Sequence, residues 1–118
     1  MEGGKWALIG GFVDRDETIA QAVLREVLEE TGYKVENTRL LTIRDNPGRP
    51  HEDRQNIAFV YIAQALEKEE EADKESTEQK WFEFGNLPKK EEMAFDHYSD
   101  IKLYLENKDL RSLPILNL

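Results

Sequence analysis

Glu26, Glu29 and Glu30 place three carboxylates within a single turn of chain. In an α-helix successive residues rotate by about 100°, so Glu30 and Glu29 stand roughly 40° and 60° to either side of Glu26. Like charges this close cost roughly a few tenths of a kcal/mol on an exposed helix, and more when partly desolvated. Their position near the helix C-terminus adds to the cost, because the helix dipole favours carboxylates at the other end. Folding alone has no use for such a cluster. A divalent cation does: Mg2+ is commonly held by a few carboxylates while phosphate oxygens and water complete its shell. The competing reading is a solvated acidic helix end with Arg25 paired to Glu29. On the helix alone the two readings stand level.

The helix itself is well marked. Thr18 is a good N-cap, Gln21 completes a capping-box pattern, and Gly32 supplies a left-handed stop, which predicts a helix over Ile19–Thr31. Ile19, Ala22 and Val23 share the arc of the glutamates, and Ala20, Leu24 and Val27 form a second apolar stripe. Burial on more than one side is expected. Before the helix, Trp6–Ile9 reads as a short strand ended by Gly10 and Gly11, followed by Phe12, Val13 and an acidic turn over Asp14–Glu17. After it, Thr38–Arg44 reads as a strand and Asp45–Arg54, with Pro47, Gly48 and Pro50, as a loop. Asn56–Leu66 is apolar on both faces, the pattern of a central strand covered on both sides. A charged segment, Glu67–Lys80, separates it from a short strand at Lys80–Phe84 and a second helix at about Phe95–Glu106. Strands mixed with two helices predict an α/β sandwich, with helices over a mixed sheet.

A length of 118 residues fits one domain, residues 1–118, with one packed core. A net charge of -9 argues against nucleic acid or an anionic membrane as partner. No apolar run approaches the roughly 18 residues of a membrane span. Cysteine is absent, so disulfides and thiolate metal sites are excluded, and a cytoplasmic home is expected. If the substrate is a polyphosphate, a cation must stand between two sets of negative charge.

The wider spacing decides between the two readings of the helix. From Gly11 the chain reads glycine, five residues, Glu17, seven residues, then Arg25-Glu26-Val27-Leu28-Glu29-Glu30-Thr31-Gly32-Tyr33. This resembles the signature of the Nudix hydrolases, G-x5-E-x7-R-E-U-x-E-E-x-G-U with U a bulky apolar residue. Every fixed position matches, Tyr33 being an aromatic variant at the last U. The resemblance implies Mg2+ or Mn2+ held by Glu26, Glu29 and Glu30, joined by a backbone carbonyl near Gly10. It implies that Arg25 orients the glutamates, that Glu17 is a structural or outer-sphere partner, and that Gly11 and Gly32 are fixed by the motif. Glu29 and Arg25 then belong to the catalytic machinery. The reaction is attack of water on a phosphorus of a nucleoside diphosphate linked to another moiety.

Outside the motif, the residues around Gly4-Lys5-Trp6, the loop Asp45–Arg54, Trp81-Phe82 and Ala94-Phe95-Asp96-His97 look like members acting on ADP-ribose, and Pro47 falls 15 residues after Gly32 as in such members. ADP-ribose, cleaved to AMP and ribose 5-phosphate, is therefore the expected substrate. Another dinucleotide or nucleotide sugar is the alternative, and a non-catalytic nucleotide-sensing module is a third reading of a different class. Arg49 and Arg54 are candidates for a phosphate or ribose contact, against the reading of a solvated loop. Glu75, with Glu78 behind it, is the candidate for a further glutamate acting as general base. His97 reads as a packed or capping histidine, Trp81 and Phe95 as core, and Trp6 as core or a base-stacking residue. Two features depart from the family: Ile9 stands where a proline is usual, and the chain is shortened at its N-terminus, lacking the strand or strands that usually precede the Gly-Lys-Trp element. An uncovered sheet edge at that place leads to the expectation of a homodimer.

Overall fold

The computed structural model describes residues 6–45, 57–69, 71, 78–107 and 114. Helix α1 spans Ile19–Thr31. The Thr18 hydroxyl accepts from the Gln21 amide and the Gln21 side chain accepts from the Thr18 amide, so the predicted capping box forms. Gly32 ends the helix at φ 81°, in the left-handed region where glycine carries no steric penalty, and its N–H returns to the Leu28 carbonyl. Strands β1 (Tyr33–Arg44) and β2 (Ala58–Lys68) form a two-stranded sheet. The Glu69 amide donates to the Gly32 carbonyl and Asn37 bonds Gln64, so the start of β1 faces the end of β2 and the pair is antiparallel. Helix α2 spans His97–Glu106. The expected α/β class is the class observed.

Contacts divide the chain into two compact units: Met1–Leu8, Leu40–Val60 and Phe82–Leu118 form one, Ile9–Arg39 and Tyr61–Trp81 the other. In the first unit Leu41, Met93 and Ala94 are buried, together with Thr42 and Asp100. In the second, Ala22 and Val35 are buried. Ala22 lies on the helical stripe that continues into the glutamates, whereas Leu24, on the second stripe, is 42% exposed. Ala20 and Val27 of that second stripe are half-buried, as Ile19 and Val23 are on the first, so only Leu24 departs from the expected burial on more than one side.

Several sequence expectations change. β1 begins five residues earlier than Thr38, directly after Gly32, with Asn37 absorbing a positive φ within it. Trp6–Ile9 contributes a single parallel bridge, from Trp6 to Met93, rather than a strand. Lys80–Phe84 is not a strand: it runs irregularly into a 3-10 turn over Phe84–Asn86. Its alternation is real, but aromatic contacts use it instead of a backbone ladder. Trp81 meets Tyr33 edge-on, and Phe82 meets Trp6 edge-on. Trp81 is consequently 68% exposed and not a core residue. Nor is β2 covered on both faces, since Phe59 stays exposed. Half-buried Trp6 packs on Phe82, and Phe95, half-buried, sits at φ 52°, costly for a bulky side chain.

Burial in the first unit includes an ion pair. Arg44, at the end of β1, places Nε 2.7 Å from Oδ1 of Asp100 on α2. Burial raises the Asp100 pKa and the Arg44 hydrogen bond pulls it back only in part. The folded state therefore holds this proton to higher pH than the unfolded chain. Stability from this group falls as pH rises from the ordinary carboxylate range through the raised value. Removing Arg44 deepens that fall by leaving a buried charge unpaired. Arg44→Leu should cost about 3 kcal/mol in urea unfolding at neutral pH. The loss should shrink as pH is lowered to about 4, in the ordinary carboxylate range, because the raised pKa favours proton uptake by Asp100 there. An equal loss at both pH values would contradict this account.

Candidate active site

The acidic cluster is organised by one cation. The Arg25 guanidinium donates from Nε to Oε2 of Glu17 at 2.8 Å and from Nη2 to Oε1 of Glu17 at 3.0 Å, a two-point grip of the planar fork on one carboxylate. Nη2 also reaches the Phe12 carbonyl at 2.8 Å. Nη1 donates to Oε1 of Glu26 at 2.7 Å and to Oε2 of Glu29 at 3.3 Å. Asp14 adds a fourth carboxylate, 3.3 Å from Nε. One side chain therefore ties residues 12–17 to α1 and draws two of the three helical glutamates to a common point.

Local sequence explains the loop's shape. Asp16 takes φ 66°, a left-handed turn that Asp tolerates better than most residues. The turn lets the Glu17 carboxylate fold back and accept from the Asp14 amide at 2.9 Å. The Arg25 hydrogen bond, then that backbone bond, lowers the Glu17 pKa below the usual carboxylate range. The same pairing, with Glu17 first and Glu26 second, raises the Arg25 pKa, so its charge is permanent.

Gly11 is required by close approach. A Cβ built there would overlap the Glu26 carboxylate, whereas one on Gly10 would meet open space. Backbone and metal-ligand candidate are thus packed directly against each other. Glu29 is the more open of the pair at 48% side-chain exposure, against 19% for Glu26. Glu30, on the same face, turns Oε2 into a buried position that no hydrogen bond reaches, while the residue is held by another interaction. Among the described residues no three metal-ligating side chains already form a closed cage. The donor set fits a divalent cation in kind: hard carboxylate oxygens, two of them already within reach of one positively charged atom.

The structure brings together Gly11, Glu17, Arg25, Glu26 and Glu29, and ends the helix at Gly32. It places Gly10 exposed in the irregular segment before α1, and Glu78 exposed on the segment before Trp81. Glu75, Arg49, Arg54 and Pro47 lie outside the described residues. His97 does not cap its helix; its Nδ1 accepts from the Leu8 amide at 2.9 Å. Sequence reasoning did not find Asp14 and the Phe12 carbonyl as partners of Arg25. The acidic turn was a signal for the first, and a backbone carbonyl leaves none.

An α/β protein whose carboxylate-bearing helix is locked by one arginine to the loop before it, with a glycine packed on one of the carboxylates, matches a known class. The NUDIX domain family profile matches residues 1–103, and the chain belongs to that family. Among its relatives, an ADP-ribose pyrophosphatase of Methanocaldococcus jannaschii is 38% identical over 106 residues, covering 90% of this chain and 60% of that protein. The NAD-capped RNA hydrolases NudC of Salmonella agona and Escherichia coli are each 36% identical over 86 residues, covering 72% of this chain and 32% of theirs. The membership expected from Gly11–Tyr33 is borne out.

The Gly11 contact predicts a contrast between neighbours. Gly11→Ala should push the Glu26 carboxylate off Arg25, moving its side-chain NMR resonance and costing about 1 kcal/mol or more. Gly10→Ala should leave that resonance in place and stability within about 0.5 kcal/mol. Identical behaviour of the two variants would refute the assigned contact.

Proposed function

We propose that this chain hydrolyses the phosphoanhydride of a nucleoside diphosphate joined to a second moiety, with ADP-ribose as substrate and AMP and ribose 5-phosphate as products. The observation that carries this reading is the meeting of Glu26 and Glu29 on one Arg25 nitrogen beside Gly11. The name of the Methanocaldococcus jannaschii relative supports the substrate. The NudC relatives favour the alternative, a dinucleotide such as NAD, over a nucleotide sugar. The acidic net charge of -9 speaks against nucleic acid as partner.

Glu26, Glu29 and Glu30, with the Gly10 carbonyl, would hold Mg2+ or Mn2+. Such an ion, when bound, offsets charge developing on the phosphate and lowers the pKa of its water. The chain's own residues do the rest. Arg25 keeps Glu26 and Glu29 directed to one point, and Glu17 and the Phe12 carbonyl hold Arg25 in turn. In this reading Glu29 takes a proton from the attacking water, supported by its being the more open carboxylate, with Glu75 or Glu78 as the further base. Water adds to phosphorus, the bridging oxygen departs with the other phosphate, and the water's protons pass to base and product. Arg49 and Arg54 belong to this reading as phosphate or ribose contacts. Positioning supplies much of the rate.

We read the two units as one NUDIX domain, supported by a single family match running through both. A cytoplasmic location and a homodimer belong to the same reading. Each described strand has an outer edge that pairs with no other described strand, an edge a second copy can cover. Light scattering at micromolar concentration should then report a dimer, and a strictly monomeric species would remove that part.

The decisive assay offers the protein with Mg2+ a panel of ADP-ribose, NADH, diadenosine polyphosphates and nucleoside triphosphates, and identifies the products. ADP-ribose should yield AMP and ribose 5-phosphate. Glu30→Gln should lower turnover on the order of 100-fold or more. Unchanged turnover in Glu30→Gln would defeat the metal assignment, and saturable binding without turnover would favour a sensing module.

A further inference from the structure

The groups gathered on Arg25 are carboxylates and a backbone carbonyl. None of them offers a flat apolar surface, yet a nucleobase is what separates a nucleoside diphosphate from bare pyrophosphate. With a net charge of -9 on the chain, affinity for the nucleoside half has to come from an uncharged contact. The same compact unit carries one. Trp81 is 68% exposed, although burying so large a ring would have contributed to folding. The ring is nevertheless held: it meets Tyr33 edge to face, with centroids 5.4 Å apart and planes at 87°. Two perpendicular rings share one edge and one face, so at least one face of the indole stays open. Phe12 is more exposed still, but no ring contact among the described residues steadies it. Ordering Phe12 against a ligand would cost rotamer freedom that Trp81 has already given up.

Tyr33 ties this platform to the carboxylate helix. Its amide donates to Oγ1 of Thr31 at 3.1 Å, and that hydroxyl donates to the Val27 carbonyl at 2.6 Å in the last turn of α1. On the residue between, the Gly32 carbonyl accepts from the Glu69 amide at 2.8 Å. Glu30 lies three residues before Tyr33, so their Cα atoms are at most about 11 Å apart. A nucleoside diphosphate is long enough to reach from the carboxylates past Tyr33. We propose that Trp81 is a specificity-determining residue: its open indole face stacks on the nucleobase of the substrate while the diphosphate lies at the carboxylate helix. This rests on the phosphoanhydride reading above and names the part of the site that takes the base.

The test titrates the full chain, with Mg2+ present, against AMP, which carries a base, and against inorganic pyrophosphate, which does not. Trp81→Ala should weaken AMP binding roughly 10- to 100-fold, the loss expected when one base–aromatic stack is removed. Pyrophosphate binding should stay unchanged, and Trp81→Phe, which keeps a π face, should retain most of the AMP affinity. Unchanged AMP binding in Trp81→Ala, or equal losses for AMP and pyrophosphate, would overturn the role of Trp81. A wild-type chain that binds pyrophosphate but not AMP would also overturn it, and would leave the phosphoanhydride reading standing. Trp81-dependent AMP binding without turnover of ADP-ribose would do the opposite. Should Trp81→Ala not fold, Trp6→Phe leaves Trp81 as the sole tryptophan. AMP should then quench its fluorescence where ribose 5-phosphate does not, and equal response to the two would overturn the proposal.

Discussion

The second unit is organised around the guanidinium of Arg25. Its planar fork meets Asp14, Glu17, Glu26, Glu29 and the Phe12 carbonyl within 3.3 Å. Without that charge, four carboxylates would face one another beside a helix end whose dipole already disfavours them. Because the cation is rigid and forked, it does more than neutralise: each nitrogen fixes a different partner. The grip on Glu17 is the structural half, holding a loop to a helix. The contacts to Glu26 and Glu29 draw two carboxylates to a point, the arrangement on which the proposed function rests. The lowered pKa of Glu17 means this clamp is at full strength above the ordinary carboxylate range and loosens only as pH falls through the lowered value.

The backbone that faces this cluster is placed by close contacts of a different kind. Gly11 lies so near Glu26 that no side chain fits between them. In the first unit, the buried Arg44–Asp100 pair joins the end of β1 to α2. Its geometry satisfies both charges, which matters more there than its net contribution to stability.

How much of this was legible depends on the range of the interactions. The helix from Ile19 to Thr31, its Thr18–Gln21 box and its Gly32 stop are local, set by residues within a turn of one another, and the sequence specifies them to the residue. The motif spacing from Gly11 to Tyr33 fixed the family for the same reason, since helix rotation alone puts Glu26, Glu29 and Glu30 on one arc. Alternation at Lys80–Phe84 was equally visible, yet no strand forms there. A strand needs a neighbour's backbone, and here the rings of Trp81 and Phe82 pack on Tyr33 and Trp6 instead.

What only the tertiary structure decided are contacts between residues far apart in the chain. That Arg25 would hold the Phe12 carbonyl, that His97 would accept from Leu8 rather than cap its helix, and that Trp81 would stand exposed all depend on where distant segments come to rest. Residue types cannot announce such pairings, because a backbone carbonyl looks the same at every position and an imidazole can serve several roles. The sequence by itself determined the carboxylate helix and its family, through local rotation and capping. Tertiary structure decided which cation steadies the carboxylates and which backbone meets them, because those are matters of approach in space.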